Sequence, residues 1–148
     1  MKFLIPALVL VVFVAVGEAC KCAPITQKQA WDQADFVGRM RIVSKATNGN
    51  VLTYTADYID PIFKPANEVH IFVPVPITTP ASSAACGVDQ LEIGKDYLIA
   101  GTRNSSTIRI SSCSGMPPAD NEFSSPPGAL PWESVNAELK KKLESGKF

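Results

Sequence analysis

The chain has 148 residues, with 14 Lys plus Arg set against 14 Asp plus Glu and 46% hydrophobic residues. The balanced charge argues against a nucleic-acid partner and against steering to an anionic membrane surface. The length suffices for one domain with its own core.

Residues 1–19 read as a secretory signal peptide. Lys2 supplies the positive start, the apolar run over residues 3–16 is broken only by Pro6, and Gly17 and Ala19 place small residues ahead of a cut. The run is shorter than the ~20 residues a membrane span needs, and no second run follows it. A lipoprotein signal would want a large aliphatic residue where Gly17 stands. The expectation is a secreted, extracellular protein whose residues 20–148 form a single domain. Cleavage after Ala19 would leave Cys20 first, with a free α-amine, in the run Cys20-Lys21-Cys22-Ala23.

Beyond Pro24, residues 26–32 are helix-tolerant, with Thr26 as a candidate cap. Residues 36–45 alternate Val37, Arg39 and Arg41 against Phe36, Met40 and Ile42, as a half-buried strand does, with an interruption near Gly38. Asn48-Gly49-Asn50 signals a hairpin. The returning strand covers residues 51–59, with Leu52, Tyr54, Ala56 and Tyr58 on one face. Residues 69–75 give a third strand, and Pro74, Pro76 and Pro80 then carry the chain into a loop ending at Cys86. A second hairpin pairs residues 97–102 with 107–112. Its connection holds Asn104-Ser105-Ser106, an N-glycosylation sequon. Residues 114–131, rich in Pro, Ser and Gly, hold little regular structure. Residues 132–145 read as a helix with Val135, Leu139 and Leu143 in one stripe and Gly146 as its stop. Five short strands and one amphipathic helix predict an all-β protein with minor α, a five-stranded OB-fold barrel.

The four cysteines are Cys20, Cys22, Cys86 and Cys113. A Cys20–Cys22 bridge would close a ring too small for normal disulfide geometry. Two pairings remain open, and each closes long loops worth about 4 kcal/mol apiece on chain-entropy grounds. Because the loops overlap, the two values do not add. Cys86 and Cys113 stand alone with no His nearby, unlike a metal site built from closely spaced ligand pairs.

Catalytic chemistry is hard to assemble. His70 is the only histidine and falls within a strand pattern, with no nucleophile signature to complete a triad. Asp57, Asp60 and Glu68 read as ordinary surface or turn carboxylates, and Lys140-Lys141-Lys142 as a solvated helix face. No metal-binding helix motif or phosphate-binding glycine loop is present. A binding protein without cofactor is expected, not an enzyme.

Taken in order, Cys20-Lys21-Cys22, Ala34-Asp35-Phe36-Val37, the segment from Ser82 and Ser83 through Cys86-Gly87-Val88, Tyr97-Leu98-Ile99-Ala100-Gly101, Cys113 and Pro131-Trp132 form a specific set. In them the chain resembles the N-terminal, netrin-like domain of the tissue inhibitors of metalloproteinases. The resemblance covers most of residues 20–148. It implies bridges Cys20–Cys86 and Cys22–Cys113. It also implies an inhibitory edge of Cys20, Lys21, Cys22 and Ala23 flanked by Ser83, Ala84 and Ala85. In such inhibitors the deprotonated α-amine and the carbonyl oxygen of the first Cys together bind the target protease's catalytic zinc. They displace the water that the metal would activate. An α-amine titrates at ~7.7–8.0, so little proton release is needed near neutral pH.

The chain departs from that pattern in three ways. Lys21 stands where the family has a small residue, often Thr, that enters the protease's first primed-side pocket. Asp32 stands where a cysteine of a third bridge is expected, and a single domain lacking the family's separate C-terminal one is expected. Single-domain secreted relatives of this kind are familiar from nematodes. Two functions follow: an inhibitor of zinc metalloproteases of the matrix metalloprotease type, or a secreted immunomodulatory ligand of a cell-surface or immune partner that inhibits no protease.

Overall fold

The computed structural model describes residues 20–66 and 74–148. Helix α1, Gln27–Gln33, starts at Thr26, whose side chain accepts from the Gln29 amide while the Gln29 side chain accepts from the Thr26 amide. This reciprocal capping box satisfies two amides that have no partner within the helix. Strand β1 is Phe36–Asn48 and strand β2 is Val51–Lys64, joined through Gly49 at φ 59°. Their register slips on both sides of Gly38 and again between Ile42 and Ser44, so the long ribbon is bent by bulges. Strand β3 is Val75–Pro80, β4 is Asp96–Asn104, β5 is Thr107–Arg109 and β6 is Leu130–Pro131.

Among the described residues the sheet runs β1-β2-β3-β5-β4-β6, and an added β1–β4 pairing closes five of these strands into a ring. All pairings are antiparallel except β3 with β5, where Ile77 lies beside Ile108 and Thr78 beside Arg109. The protein is therefore mostly β, a closed five-stranded barrel with a C-terminal helix. Closure removes the exposed edges that an open sheet would present.

Two apolar clusters share the sheet. Inside the barrel lie Phe36, Met40, Ile42, Tyr54, Ile77, Ile99 and Ile108. Outside it, Val37, Leu98, Ala100, Met116 and Leu130 pack beneath the helices with Leu139 and Leu143. Strand β4 contributes to both clusters, with Tyr97 and Ile99 in one and Leu98 and Ala100 in the other. A strand covered on both faces must be apolar throughout, which accounts for the uninterrupted Tyr97-Leu98-Ile99-Ala100-Gly101 run.

Three expectations need correction. Pro76 and Pro80 lie within β3 rather than in a loop. Thr78 accepts from the Ile110 amide on the β5 side. Pro76 and Pro80 share its parity, so their missing amides face that side, where β5 pairs only with Ile77 and Thr78. The ladder to β2 is left whole. The final helix begins later than its periodicity suggests. Residues Trp132–Ser134 form a 3₁₀ turn, and α2, Ala137–Ser145, is N-capped by Asn136, whose side chain accepts from the Leu139 amide. The stretch expected to lack structure contains β6, which pairs with Tyr97 and Leu98. Residues 69–73 of the expected third strand lie outside the described residues.

One charged cluster crosses the barrel surface. Asp96 accepts from Arg41 Nε at 2.7 Å and Arg39 Nε at 2.8 Å, and its side chain is 10% exposed. Burial pushes the carboxyl's pKa up, but the arginine hydrogen bonds and charges outweigh it and leave the group below its ordinary value. A carboxylate with a depressed folded pKa stabilises fully above its unfolded value of ~3.9, and that contribution fades as pH falls through the folded value. Replacing Asp96→Asn is expected to reduce unfolding stability in urea at neutral pH by about 1–3 kcal/mol. The gap between variant and parent should narrow below about pH 3. A gap that stays constant into acid would show that the carboxylate charge is not its source.

Candidate functional site

Strands β3 and β5 run parallel and both leave the barrel at the same end. β3 leads to a 3₁₀ turn, Ser83–Ala85, and Cys86; β5 leads to Cys113. The chain's Cys20 and Cys22 meet them there. Cys20 is bonded to Cys86 with Cα atoms 5.0 Å apart, and Cys22 to Cys113 with Cα atoms 5.1 Å apart. The two bridges lie side by side, the Cys20 and Cys113 sulfurs being 3.6 Å apart. The Ser112 amide donates to the Cys86 carbonyl at 2.9 Å, tying the two partner segments together.

Local chemistry explains the turn that carries Cys86. Ser82 caps it by accepting from the Ala84 amide at 3.2 Å, and Cys86 adopts the left-handed region at φ 66°. Gly87 follows because no side chain fits. A Cβ there would stand 1.9 Å from the Pro80 carbonyl oxygen and 2.7 Å from that of Ser82. Beneath the turn, the Val88 amide donates to Thr79 Oγ1 at 2.9 Å, and buried Tyr54 donates its hydroxyl to the Val88 carbonyl at 2.7 Å. Burial pushes the Tyr54 phenol pKa up, so it stays a neutral donor.

The Pro-rich segment supports the other side. The Gln27 amide donates to Asp120 Oδ1 at 2.7 Å, the Asn121 amide donates to the Ile25 carbonyl at 2.9 Å, and Gln27 Nε2 reaches the Pro118 carbonyl at 3.0 Å. Gln27 is buried, and its side-chain oxygen accepts from Lys142 Nζ at 3.0 Å, so both ends of its amide are satisfied. Residues 20–27 are thus held by two covalent bridges and by this polar docking.

The structure brings together every residue expected at the edge. Lys21, Ala23, Ser83, Ala84 and Ala85 are exposed, and Cys20, Cys22, Cys86 and Cys113 are partly exposed. Asn104 lies elsewhere, at the β4–β5 turn. His70 and Glu68, with the side chain of Asp60, lie outside the described residues. Sequence reasoning missed a cleft of about 520 Å³ beside Cys20 and Cys22, lined by Lys21, Val88, Asp89, Gln90, Phe123 and Pro126. Phe123, 59% exposed, was indistinguishable from loop residues, since its proximity to Cys20 arises only from the fold. Asn50, at the tip of the β1–β2 ribbon, also reaches this end, its carbonyl accepting from the Ala81 amide at 2.9 Å.

Among the described residues, the sulfurs of Cys20, Cys22 and Cys113 form a group within 4.8 Å that could suggest a metal centre. Each sulfur is already in a disulfide, and a metal needs thiolates. What this end of the barrel presents is the backbone around Cys20 and Cys22, held by two bridges, with the small side chains of Ala23, Ser83, Ala84 and Ala85 exposed around it. No helix among the described residues is long and apolar enough to cross a membrane.

Comparison with known proteins gives concordant matches. Residues 18–121 match the family described as tissue inhibitor of metalloproteinase. A candidate metalloproteinase inhibitor of Caenorhabditis elegans, tag-225, is 27% identical over 149 aligned residues, covering 93% of this chain and 92% of its own. Metalloproteinase inhibitor 2 of Bos taurus is 29% identical over 140 residues, and the human protein of the same name shows the same values. The alignment spans 86% of this chain but only 55% of the length of those two relatives.

Proposed function

Because the chain belongs to the tissue inhibitor of metalloproteinase family, we propose that it is a secreted inhibitor of zinc metalloendopeptidases that acts through Cys20. Members of the family are protease inhibitors, not enzymes. On this reading the leader of residues 1–19 is removed and residues 20–148 work as one domain. The α-amine and carbonyl oxygen of Cys20 then serve as a bidentate ligand to the zinc of a protease of the matrix metalloprotease type. Ser83, Ala84, Ala85 and Ala23 widen the contact without obstructing the approach.

The observation that supports this reading is the position of Cys20 and Cys22, bridged to two neighbouring segments of the barrel. A free chain end samples many orientations, and immobilising it on binding would cost affinity. Here most of that ordering is complete before the partner arrives. Displacing the zinc-bound water removes the nucleophile that the metal would otherwise generate.

Lys21 favours a second reading. Its exposed ammonium sits beside Cys20, where a pocket-filling side chain would be small and uncharged. The same scaffold would then bind a cell-surface or immune partner through another surface.

The test is to secrete the full chain, establish its first residue by mass spectrometry and titrate it against a panel of matrix metalloprotease catalytic domains. The expected result is a chain that begins at Cys20 and gives stoichiometric inhibition. A correctly processed, fully bridged protein that inhibits none of the panel at micromolar concentration would overturn the reading and leave the ligand role in its place.

A further inference from the structure

We propose that Asn104 carries an N-linked glycan, at the end of the barrel opposite the Cys20 edge. Asn104-Ser105-Ser106 is the one Asn-x-Ser/Thr sequence in the chain. The structure sets it on a tight hairpin. Asn104 closes β4 and pairs with Thr107, which opens β5, leaving Ser105 and Ser106 as a two-residue turn. Ser105 takes the positive φ, 55°, that such a turn requires. Asn104, Ser105 and Ser106 are all exposed, so a bulky polar substituent on the Asn104 amide displaces no buried group.

Strand direction fixes where the sugar would stand. β5 runs from this turn toward Cys113, and its parallel neighbour β3 runs toward Cys86. Both strands therefore point from the turn to the disulfide-bridged end. The path from Thr107 to Cys113 in extended chain reaches up to about 20 Å. A glycan on Asn104 extends away from Cys20, Lys21 and the Ser83–Ala85 turn. It can shield the far end of the barrel and leave the inhibitory edge open.

Modification would proceed by glycosyl transfer in the secretory lumen. Asn104 Nδ2 bonds to the anomeric carbon of an oligosaccharide carried on a lipid pyrophosphate. The sugar–pyrophosphate C–O bond breaks, the lipid pyrophosphate leaves with the electron pair, and the amide gives up one proton. The inference rests on export, which is part of the function proposed above.

Secreting the full chain from cultured animal cells and treating it with peptide N-glycosidase tests the proposal. The expected result is a loss of the whole oligosaccharide mass, leaving aspartate at position 104. Asn104→Gln and Ser106→Ala should each be secreted without the glycan, and Ser106→Thr should retain it. Inhibition by Asn104→Gln should match the parent within about twofold. A secreted parent whose mass is unchanged by the glycosidase overturns the proposal, as does a glycan that persists in Asn104→Gln. A large change in inhibition for both unglycosylated variants would overturn the remote placement. A chain kept inside the cell with residues 1–19 attached would overturn export, and the glycan with it.

Discussion

One alanine added ahead of Cys20 is expected to raise the inhibition constant at least about 100-fold, close to 3 kcal/mol. The added residue turns the Cys20 amine into an amide, whose nitrogen lone pair is delocalised into the carbonyl and cannot ligate a metal. It also places bulk where the protease zinc must approach. The fold has no reason to respond, because Cys20–Cys86 and Cys22–Cys113 do not involve the α-amine. Thermal unfolding should therefore be unchanged while inhibition is lost, which separates a blocked ligand from a damaged scaffold. Equal potency for the two forms would sink the zinc mechanism, whatever the identity of the protease.

Lys21→Thr is expected to strengthen inhibition of matrix metalloproteases by about 10- to 1,000-fold. A lysine entering an apolar pocket either loses the hydration of its ammonium unpaired or holds the chain back from its best approach. Threonine removes the charge and most of the volume; thermal unfolding of the variant beside the parent separates an effect on the pocket contact from one on the scaffold. The measurement is a set of inhibition constants against proteases whose primed-side pockets differ in charge. The gain should be largest for apolar pockets and absent, or reversed, for an acidic one. A uniform lack of effect would mean that position 21 does not enter the partner's pocket.

The parts of this molecule that follow from local rules were legible in the residues. Thr26 marks a helix start because its side chain caps an amide within the first turn. Asn48-Gly49-Asn50 marks a hairpin because Gly49 tolerates a positive φ. Val135, Leu139 and Leu143 mark the core face of the last helix, although Asn136 moves its start to Ala137. Where local reasoning failed, the deciding contact was distant in sequence. Pro76 and Pro80 look like strand breakers until β5 is seen to leave their amide side uncontested. Leu130 and Pro131 have no strand pattern of their own and become β6 only because β4 offers Tyr97 and Leu98.

The candidate site divides in the same way. The chain alone determines that Cys20 and Cys22 are one residue apart, that Gly87 follows Cys86, and that position 21 carries a charge. Which cysteine faces which depends on β3 and β5 leaving the barrel together, a consequence of ring closure. Phe123 comes to line a cleft beside Cys20 because residues 117–121 bind back onto Ile25 and Gln27 through their carbonyls, the Asp120 carboxylate and the Asn121 amide. Capping, turn and periodicity signals act within a few residues and can be read along a line. The edge offered to a partner is built from segments far apart in the chain, and only the packed barrel sets their distances.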